Sequence, residues 1–442
     1  MKRILLLTIL IMSICSNIIL SNNTLLKDFF RPNTHIINRD TLKYYDGYSD
    51  RFYPYRLHNF DFLSYYERGE WNNLVVGTFD LDSGRLAFAS KDMNYFSNQS
   101  ISKMQKVCSD NNQYIYVIRN IYNPIKIFKA YFYKNAKKFV ICDSFISYIY
   151  PKPLDIDINF ENTINDLTDD KIWAVANNNI MLLKFDTKDK KLFKKKSWTN
   201  IGANSNERYT CISIGKDYGI QNNYIYVYDS LNNRILRLYE YINNYNQPTL
   251  TLVSSRTMPS DWIIKSITTD YFGSVWLSEY NHGFLQSYTP NLQQALTTAN
   301  WSFRANKPVS FTMAMDKPYG ILTERWTDTT GVRLYKLGTE IFYNSVKQDN
   351  PHISQIHLHF RVTVGSYMTF WANNTNFIYN SFYLPGEYDR YFTVPNDWSS
   401  GTKSYSLKAT SACTNPDGSP TAVVTKTGVF NYSSPPPPSP LH

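Results

Sequence analysis

One grammar recurs along most of the chain and limits what it can fold into: a short apolar run, a turn, and a second apolar run close behind. The clearest copy is Ile264 to Pro290, where an alternating run ends at Asp270 and a turn follows at Tyr271-Phe272-Gly273. The run Ser274-Val275-Trp276-Leu277-Ser278 then leads through Glu279-Tyr280-Asn281-His282-Gly283 into a third run that closes at Pro290. Period-2 alternation bounded by Gly, Asn and Pro predicts three short antiparallel strands. Taking Val75, Ile115, Trp173, Tyr226, Trp276 and Ile321 as markers of the middle strand, the spacings are 40, 58, 53, 50 and 45 residues. That interval suits four-stranded propeller blades with variable loops.

Behind the markers comes a second run, as in Ile180-Met181-Leu182-Leu183, Arg234-Ile235-Leu236-Arg237-Leu238 and Phe284-Leu285-Gln286-Ser287-Tyr288. The turns between them, Asn177-Asn178-Asn179, Asn232-Asn233 and Asn281-His282-Gly283, suit positive backbone dihedrals. A pair of β-sandwiches would not return the same strand-turn-strand grammar five or six times. With 36 Tyr and only 19% charged residues, the composition also favours strands over helices. The expected fold is all-β: a propeller of six or seven blades, residues 71–340, followed by a small β-sandwich, residues 350–432. Strands there are spaced by Pro385-Gly386, Pro395-Asn396-Asp397 and Asn415-Pro416-Asp417-Gly418, as in an immunoglobulin-like domain. Residues 22–70 form a Tyr-rich lead-in that could lend a strand to the array, and 433–442 is a Pro-rich tail.

Lys2-Arg3 followed by the apolar run Ile4 to Ile14 reads as a signal peptide, residues 1–21, too short to span a bilayer comfortably. A lipid anchor on Cys15 is the alternative at that end. The mature chain is expected to carry no transmembrane segment and to be secreted or held at the extracellular surface. Nucleic acid is a poor partner for an exported chain, in spite of its net charge of +10. Cys108, Cys142, Cys211 and Cys413 remain after cleavage, and Cys108 with Cys142, in one sheet unit, is the expected disulfide. No Cys-x-x-Cys or other metal spacing exists.

Six lysines, Lys188, Lys190, Lys191, Lys194, Lys195 and Lys196, crowd around Leu192-Phe193. They read either as a patch for phospholipid headgroups or acidic polysaccharide, or as the protected edge of a sheet. His357 and His359 share one strand face with His352 upstream, a spacing compatible with a metal site, though no carboxylate or thiol partner stands out in the sequence. No metal or cofactor is therefore expected. Nucleophile elbow, His-Glu-x-x-His, phosphate loop and dinucleotide fingerprint are all missing, which counts against most hydrolases, kinases and dehydrogenases.

The run Asp270 to Pro290, with Gly-x-Val-Trp-Leu-Ser-Glu and then Gly-Phe-Leu-x-x-Tyr-Thr-Pro, resembles the repeat of the streptogramin (virginiamycin B) lyase group of β-propellers. Tyr224 to Leu238, YIYVYDSLNNRILRL, is similar to the related NHL repeat, and Asp169 to Trp173 is a partial match. The resemblance covers roughly residues 165–340 and implies a ligand at one end of the central channel. In the lyase, His and Glu from separate blades act at the channel mouth. Here Glu279 and His282, three apart in a turn, are the candidate acid–base pair. Asp229, Asn233, Arg234 and Trp276 are the candidate ligand-binding residues, although Asx-turn bonding and a salt bridge between blades also account for the first three. The favoured function is a secreted or cell-surface binding module for an extracellular glycan, envelope or protein ligand. The alternative is a lyase-like or lactonase-like enzyme acting on a cyclic ester.

Overall fold

The computed structural model describes the chain between residues 52 and 435, apart from several connecting segments; for residues 52–144 and 303–337 it gives little beyond the course of the strands. The expected signal peptide, the Cys15 anchor, lead-in residues 22–51 and tail residues 436–442 lie outside the described residues. Two compact units are present, one ending at Lys336 and the other beginning at Leu337.

In the first unit the described strands form six antiparallel sheets taken strictly in chain order. The first holds β1 (Phe52–Tyr55), β2 (Phe62–Arg68), β3 (Leu74–Asp80) and β4 (Arg85–Ala89), so the lead-in contributes two strands. The second holds β5 (Met104–Ser109), β6 (Tyr114–Arg119), β7 (Pro124–Tyr133) and β8 (Lys138–Tyr148). The third is β9 (Asp155–Asn159), β10 (Lys171–Ala176), β11 (Asn179–Asp186) and β12 (Lys191–Thr199). The fourth is β13 (Tyr209–Asp217), β14 (Ile220–Asp229), β15 (Arg234–Ile242) and β16 (Pro248–Thr257). The fifth is β17 (Ile264–Thr269), β18 (Val275–Glu279), β19 (Phe284–Tyr288) and β20 (Phe303–Arg304), and the sixth is β21 (Pro308–Met313), β22 (Tyr319–Arg325) and β23 (Thr330–Lys336). The opening strand of each sheet lies beside the opening strand of the next, β1 by β5, β5 by β9, β9 by β13, β13 by β17 and β17 by β21. The ring closes because β21 lies beside β1. This closed ring of radially arranged sheets is a β-propeller, with six blades among the described residues.

The burial pattern follows from the ring. β18 and β19 are buried at every position, because neighbouring blades cover both faces of the middle strands. Alternate residues of one strand accordingly join different cores. Trp173, Val175, Ile180 and Leu182 pack with Ile212, Ile225 and Leu236 of the fourth sheet, whereas Ile172, Ala174, Met181 and Leu183 pack with Tyr116, Ile118 and Ile125 of the second. The marker aromatics Trp173, Tyr226 and Trp276 are almost wholly buried, each contributing roughly 4 to 6 kcal/mol of transfer free energy. The outermost strand β12, by contrast, is mostly exposed.

A repeated side-chain stitch links the inner strands. Asp155 and Asp157 on β9 accept the backbone N–H groups of Ile212 (3.1 Å) and Ile214 (2.8 Å) on β13. Ser266 and Thr268 on β17 accept those of Phe311 (2.8 Å) and Met313 (3.2 Å) on β21. Register places Asp155, Cys211 and Ser266 at equivalent positions, opposite Val175, Tyr228 and Ser278. Cys211 keeps the contact in weaker form, its Sγ 3.4 Å from the Lys265 carbonyl on the next blade.

The expected Cys108–Cys142 disulfide is not supported. Cys108 is on β5 and Cys142 on β8, the two edge strands of one sheet, with β6 and β7 between them. Three interstrand spacings of about 4.8 Å hold their backbones far beyond the ~7 Å limit for a bridge. Among the described side chains Cys211 and Cys413 are buried thiols outside any disulfide.

The second unit is a two-sheet sandwich. One sheet has the order β24 (Ile341–Lys347), β25 (Gln355–Val362), β28 (Gly386–Thr393). The other has β27 (Thr375–Tyr383), β26 (Ser366–Ala372), β29 (Gly401–Ser411), β30 (Val423–Tyr432). Strict alternation on β25 buries Ile356, Leu358, Phe360 and Val362 in a core shared with Met368, Phe370, Leu407 and Phe430. Trp398 closes one side of that core, edge-on to Phe377 and Tyr432.

Candidate functional site

Antiparallel order within each sheet sends the hairpin between the second and third strands to the same end of the propeller as the incoming connection from the preceding sheet. Most of the candidate residues collect there. In the fourth sheet the hairpin is Asp229–Arg234. Asp229 Oδ1 accepts the backbone N–H groups of Arg208 (3.0 Å), Leu231 (3.3 Å) and Asn232 (3.4 Å), while Oδ2 accepts from the side chains of Asn232 (2.6 Å) and Arg234 (3.1 Å). Asn233 takes a left-handed φ of 46°, as expected of that turn, and Tyr228 donates its hydroxyl to Asn233 Oδ1 (2.7 Å).

Arg234 also pairs with Glu207, which accepts from the Tyr209 hydroxyl and from the Gly202 N–H (3.2 Å). Both carboxylates are fully buried and the guanidinium nearly so. Burial, and then Glu207, raise the Tyr209 phenol, so it stays protonated as a donor. Asp229 and Arg234 thus tie the 200–208 connection to the hairpin, and Asn233 holds the turn and, through Pro259, the next connection.

The fifth sheet repeats the device with Glu279. Fully buried, its Oε1 accepts the N–H groups of Ile263 (2.8 Å) and Asn281 (2.9 Å), and its Oε2 that of His282 (2.6 Å). The His282 ring stands half exposed, with Nε2 3.2 Å from Asp261 Oδ2 and Nδ1 3.4 Å from Glu279 Oε2. Glu279 and His282 are therefore brought together, but the carboxylate is occupied by three backbone donors. Trp276 is buried without residue, its Nε1–H donated to Asp270 Oδ2 (2.8 Å) and its ring edge-on to Phe311. It packs the blade and presents no surface to a ligand.

Between these two hairpins the surface opens into a cleft of about 610 Å³. Cys211, Thr210 and Tyr228 form its floor, Trp262, Ile263 and Lys265 one wall, and Ser230 to Asn233 the other. Trp262 stands edge-on to Phe284 at 4.7 Å, which fixes its plane. Leu231 and Ile263 are exposed at the rim. Burial raises the Tyr228 phenol to about 12, so it is a neutral hydroxyl at physiological pH. No Asp, Glu or His is among the described residues lining the cleft. Of the residues singled out in the sequence Cys211, Asn232 and Asn233 line it directly; Trp262 lies just before the clearest repeat and Lys265 in its first strand, and neither carried a signal of its own.

The histidines of the sandwich form a second polar cluster, on the solvent face of β25. His357 Nε2 and His359 Nδ1 both contact Asp389 Oδ1, at 2.7 and 2.9 Å. Asp349 lies 3.0 Å from His357 Nδ1, Glu387 lies 2.9 Å from His359 Nε2, and Arg361 meets Glu387 at 2.7 Å. The carboxylates come from β28 and the β24–β25 connection, across the register His359↔Asp389 and Arg361↔Glu387. Among the described residues no group of three or more His, Cys, Asp or Glu side chains has the geometry to hold a metal ion.

Ring closure and the buried hairpin locks define the chain as a β-propeller followed by a β-sandwich. No protein-family model matches it, and no curated protein matches it. In fold it is similar to the β-propeller domain of Cps50 (Swd1) from Myceliophteria thermophila, at 10% identity over 64% of this chain and 82% of that one, with a TM-score of 0.39. It is also similar to PorZ, an essential bacterial surface component of the type-IX secretion system of Porphyromonas gingivalis, at 9% identity over 83% of this chain and 50% of that one, TM-score 0.41. A third similar structure is the extracellular domain of BT4673 from B. thetaiotaomicron, at 12% identity over 88% of this chain and 58% of that one, TM-score 0.36. The chain thus spans about half the length of PorZ. The propeller assignment itself rests on the closed ring of sheets.

Proposed function

We propose that this chain is an exported binding module whose propeller takes a ligand in the cleft between the fourth and fifth blades. The observation that carries this reading is the lining: one fixed indole, a neutral phenol, hydroxyls, amides and one lysine, with no acid–base pair. Such a surface suits stacking and hydrogen bonding to a sugar or an extended peptide. A cyclic-ester lyase or lactonase would need a general acid or base within reach of the bound ester. Glu279 faces its own turn instead, and Cys211 donates its thiol to the Lys265 carbonyl (3.4 Å), an acceptor that does not take the proton. No helix among the described residues is long and apolar enough to cross a membrane, which is compatible with export.

The Asp229–Asn232–Arg234 hairpin bonding supports grouping the repeats with the NHL type. The strand order β24-β25-β28 against β27-β26-β29-β30 supports an immunoglobulin-like reading of the sandwich, with the role of presenting or tethering the propeller. The test is a screen of the purified full chain against extracellular polysaccharides and peptides, repeated with Trp262→Ala and Lys265→Ala. Binding lost in these variants and kept in His282→Ala upholds the cleft; ester turnover that depends on Glu279 and His282 overturns the reading.

A further inference from the structure

The two solvent faces of the sandwich differ in charge. On β25 and β28 charged groups are crowded and paired with one another, as in the contacts of Asp389 with His357 and His359. The outer face of the sheet β27-β26-β29-β30 is nearly uncharged. Alternation on β26 turns Met368 and Phe370 into the core and leaves Tyr367, Thr369 and Trp371 outside. Register carries that face across the sheet, with Phe382 beside Tyr367, Lys408 beside Thr369, and Ser406 and then Thr427 beside Trp371. Tyr367 is 40% exposed and leans on Phe382, with ring centroids 5.5 Å apart. Trp371 is 43% exposed, the one exposed tryptophan among the described side chains.

Four residues along one strand put these two aromatic positions about 13 Å apart. Beside them lie the hydroxyls of Ser406 and Thr427 and, between Thr369 and Thr425, the ammonium group of Lys408, the single charge among the described residues of this face. Exposed rings next to hydroxyls match a chain of sugars, each with C–H groups on its flat faces and hydroxyls round its rim. We propose that this face binds a linear neutral polysaccharide lying along β26, with Tyr367 and Trp371 stacked on separate sugar rings. A strongly anionic chain would meet one cation only. An extended peptide pairs with the backbone groups of a sheet edge, which a face does not offer. Two copies of the face set against each other would bury both Lys408 ammonium groups with no carboxylate on the face to meet them. The hydroxyl-bearing half is likewise unsuited to the acyl region of a bilayer.

The site is separate from the cleft and does not depend on it. The experiment is titration of the purified full chain with neutral β-glucan, xylan and mannan, with polygalacturonate and with phosphatidylcholine vesicles, at low and raised salt. The expected result is binding of at least one neutral chain, little changed by salt and not displaced by the free monosaccharide, which cannot reach both rings. Tyr367→Ala and Trp371→Ala should each lose about tenfold in affinity, and by the same factor in a Trp262→Ala background, which removes any contribution of the cleft. Tyr245→Ala, which alters a tyrosine 85% exposed on the propeller, should change nothing, and far-ultraviolet circular dichroism should be common to all. Binding of none of the neutral chains, equal affinity for polygalacturonate or vesicles, a loss in Trp262→Ala but not in Trp371→Ala, or a dimer in sedimentation that Trp371→Ala dissolves would each overturn the proposal.

Discussion

Asp270 Oδ2 accepts the indole N–H of Trp276 at 2.8 Å inside the fifth blade, while Oδ1 of the same carboxylate accepts the N–H groups of Phe272 and Ser274 at 2.9 Å. One buried acid therefore closes the first turn of the blade and orients its largest core side chain.

Replacing Asp270 with Ala should leave three buried N–H donors unsatisfied and cost about 3 kcal/mol or more. Asp270→Asn should cost less, since only the bond to Trp276 is replaced by opposed donors. Chemical denaturation followed by tryptophan fluorescence measures both; equal stability of Asp270→Ala and the wild type would contradict this account.

Burial raises the Asp270 carboxyl to about 6, against the hydrogen bonds that lower it. A folded-state pKa above the unfolded one means that the native state binds the extra proton between about pH 4 and 6. Stability should thus fall as pH rises through that window, by roughly 3 kcal/mol at most from this group. Asp270→Asn should lack this fall, so its deficit against wild type in denaturation midpoint should be largest at the acid end of that range and smallest above it.

Glu279→Ala should destabilise by about 2 to 4 kcal/mol, because Ile263, Asn281 and His282 all lose their acceptor. His282→Ala, on the exposed side of the same turn, should stay within about 0.5 kcal/mol of wild type. A comparable cost for both would show that the ring, and not the backbone lock, holds the hairpin.

Removing Arg234 should be among the most damaging single changes in the fourth blade, since Glu207 and Asp229 would remain buried without their cation. Arg234→Met is expected to cost about 3 to 5 kcal/mol. The triple change Arg234→Met/Glu207→Gln/Asp229→Asn should recover part of that loss in thermal melts.

On the sandwich, contacts with His359 and then His357 hold the Asp389 carboxyl below its ordinary value. Its contribution is present above the ordinary carboxylate pKa and disappears as the pH falls below it. Asp389→Asn should accordingly lower sandwich stability slightly at neutral pH and match wild type once the carboxylate is protonated, which flattens the acid limb, a difference acid titration by circular dichroism can read.

Much of the propeller could be read from the chain because its signals are local. Trp173, Tyr226 and Trp276 sit in strands whose alternation and flanking Asn or Gly turns announce them, and Asn177, Asn233 and Gly283 do adopt positive φ. Strand β24 was hidden between the two grammars, and β1 and β2 lay within an irregular Tyr-rich segment. The site was harder to see, because its partners meet through register. Glu207 reaches Arg234 from 27 residues away, and Asp389 reaches His359 from 30. No spacing rule links such residues until the strands are paired. The same reason defeats the Cys108–Cys142 pairing, since sharing a sheet says nothing about which strands are adjacent.

The meeting of β1 with β21 also bears on how the molecule is made. β1 ends at Tyr55 and β21 begins at Pro308, so the contact that completes the circle joins segments synthesised at opposite ends of the propeller. Until the sixth sheet exists, the inner edge of the first has no neighbour on one side. Such long-range closure makes folding slow relative to local hairpin formation and leaves an aggregation-prone edge during synthesis. Truncation anywhere before Met313 should therefore yield insoluble chain instead of a smaller stable propeller.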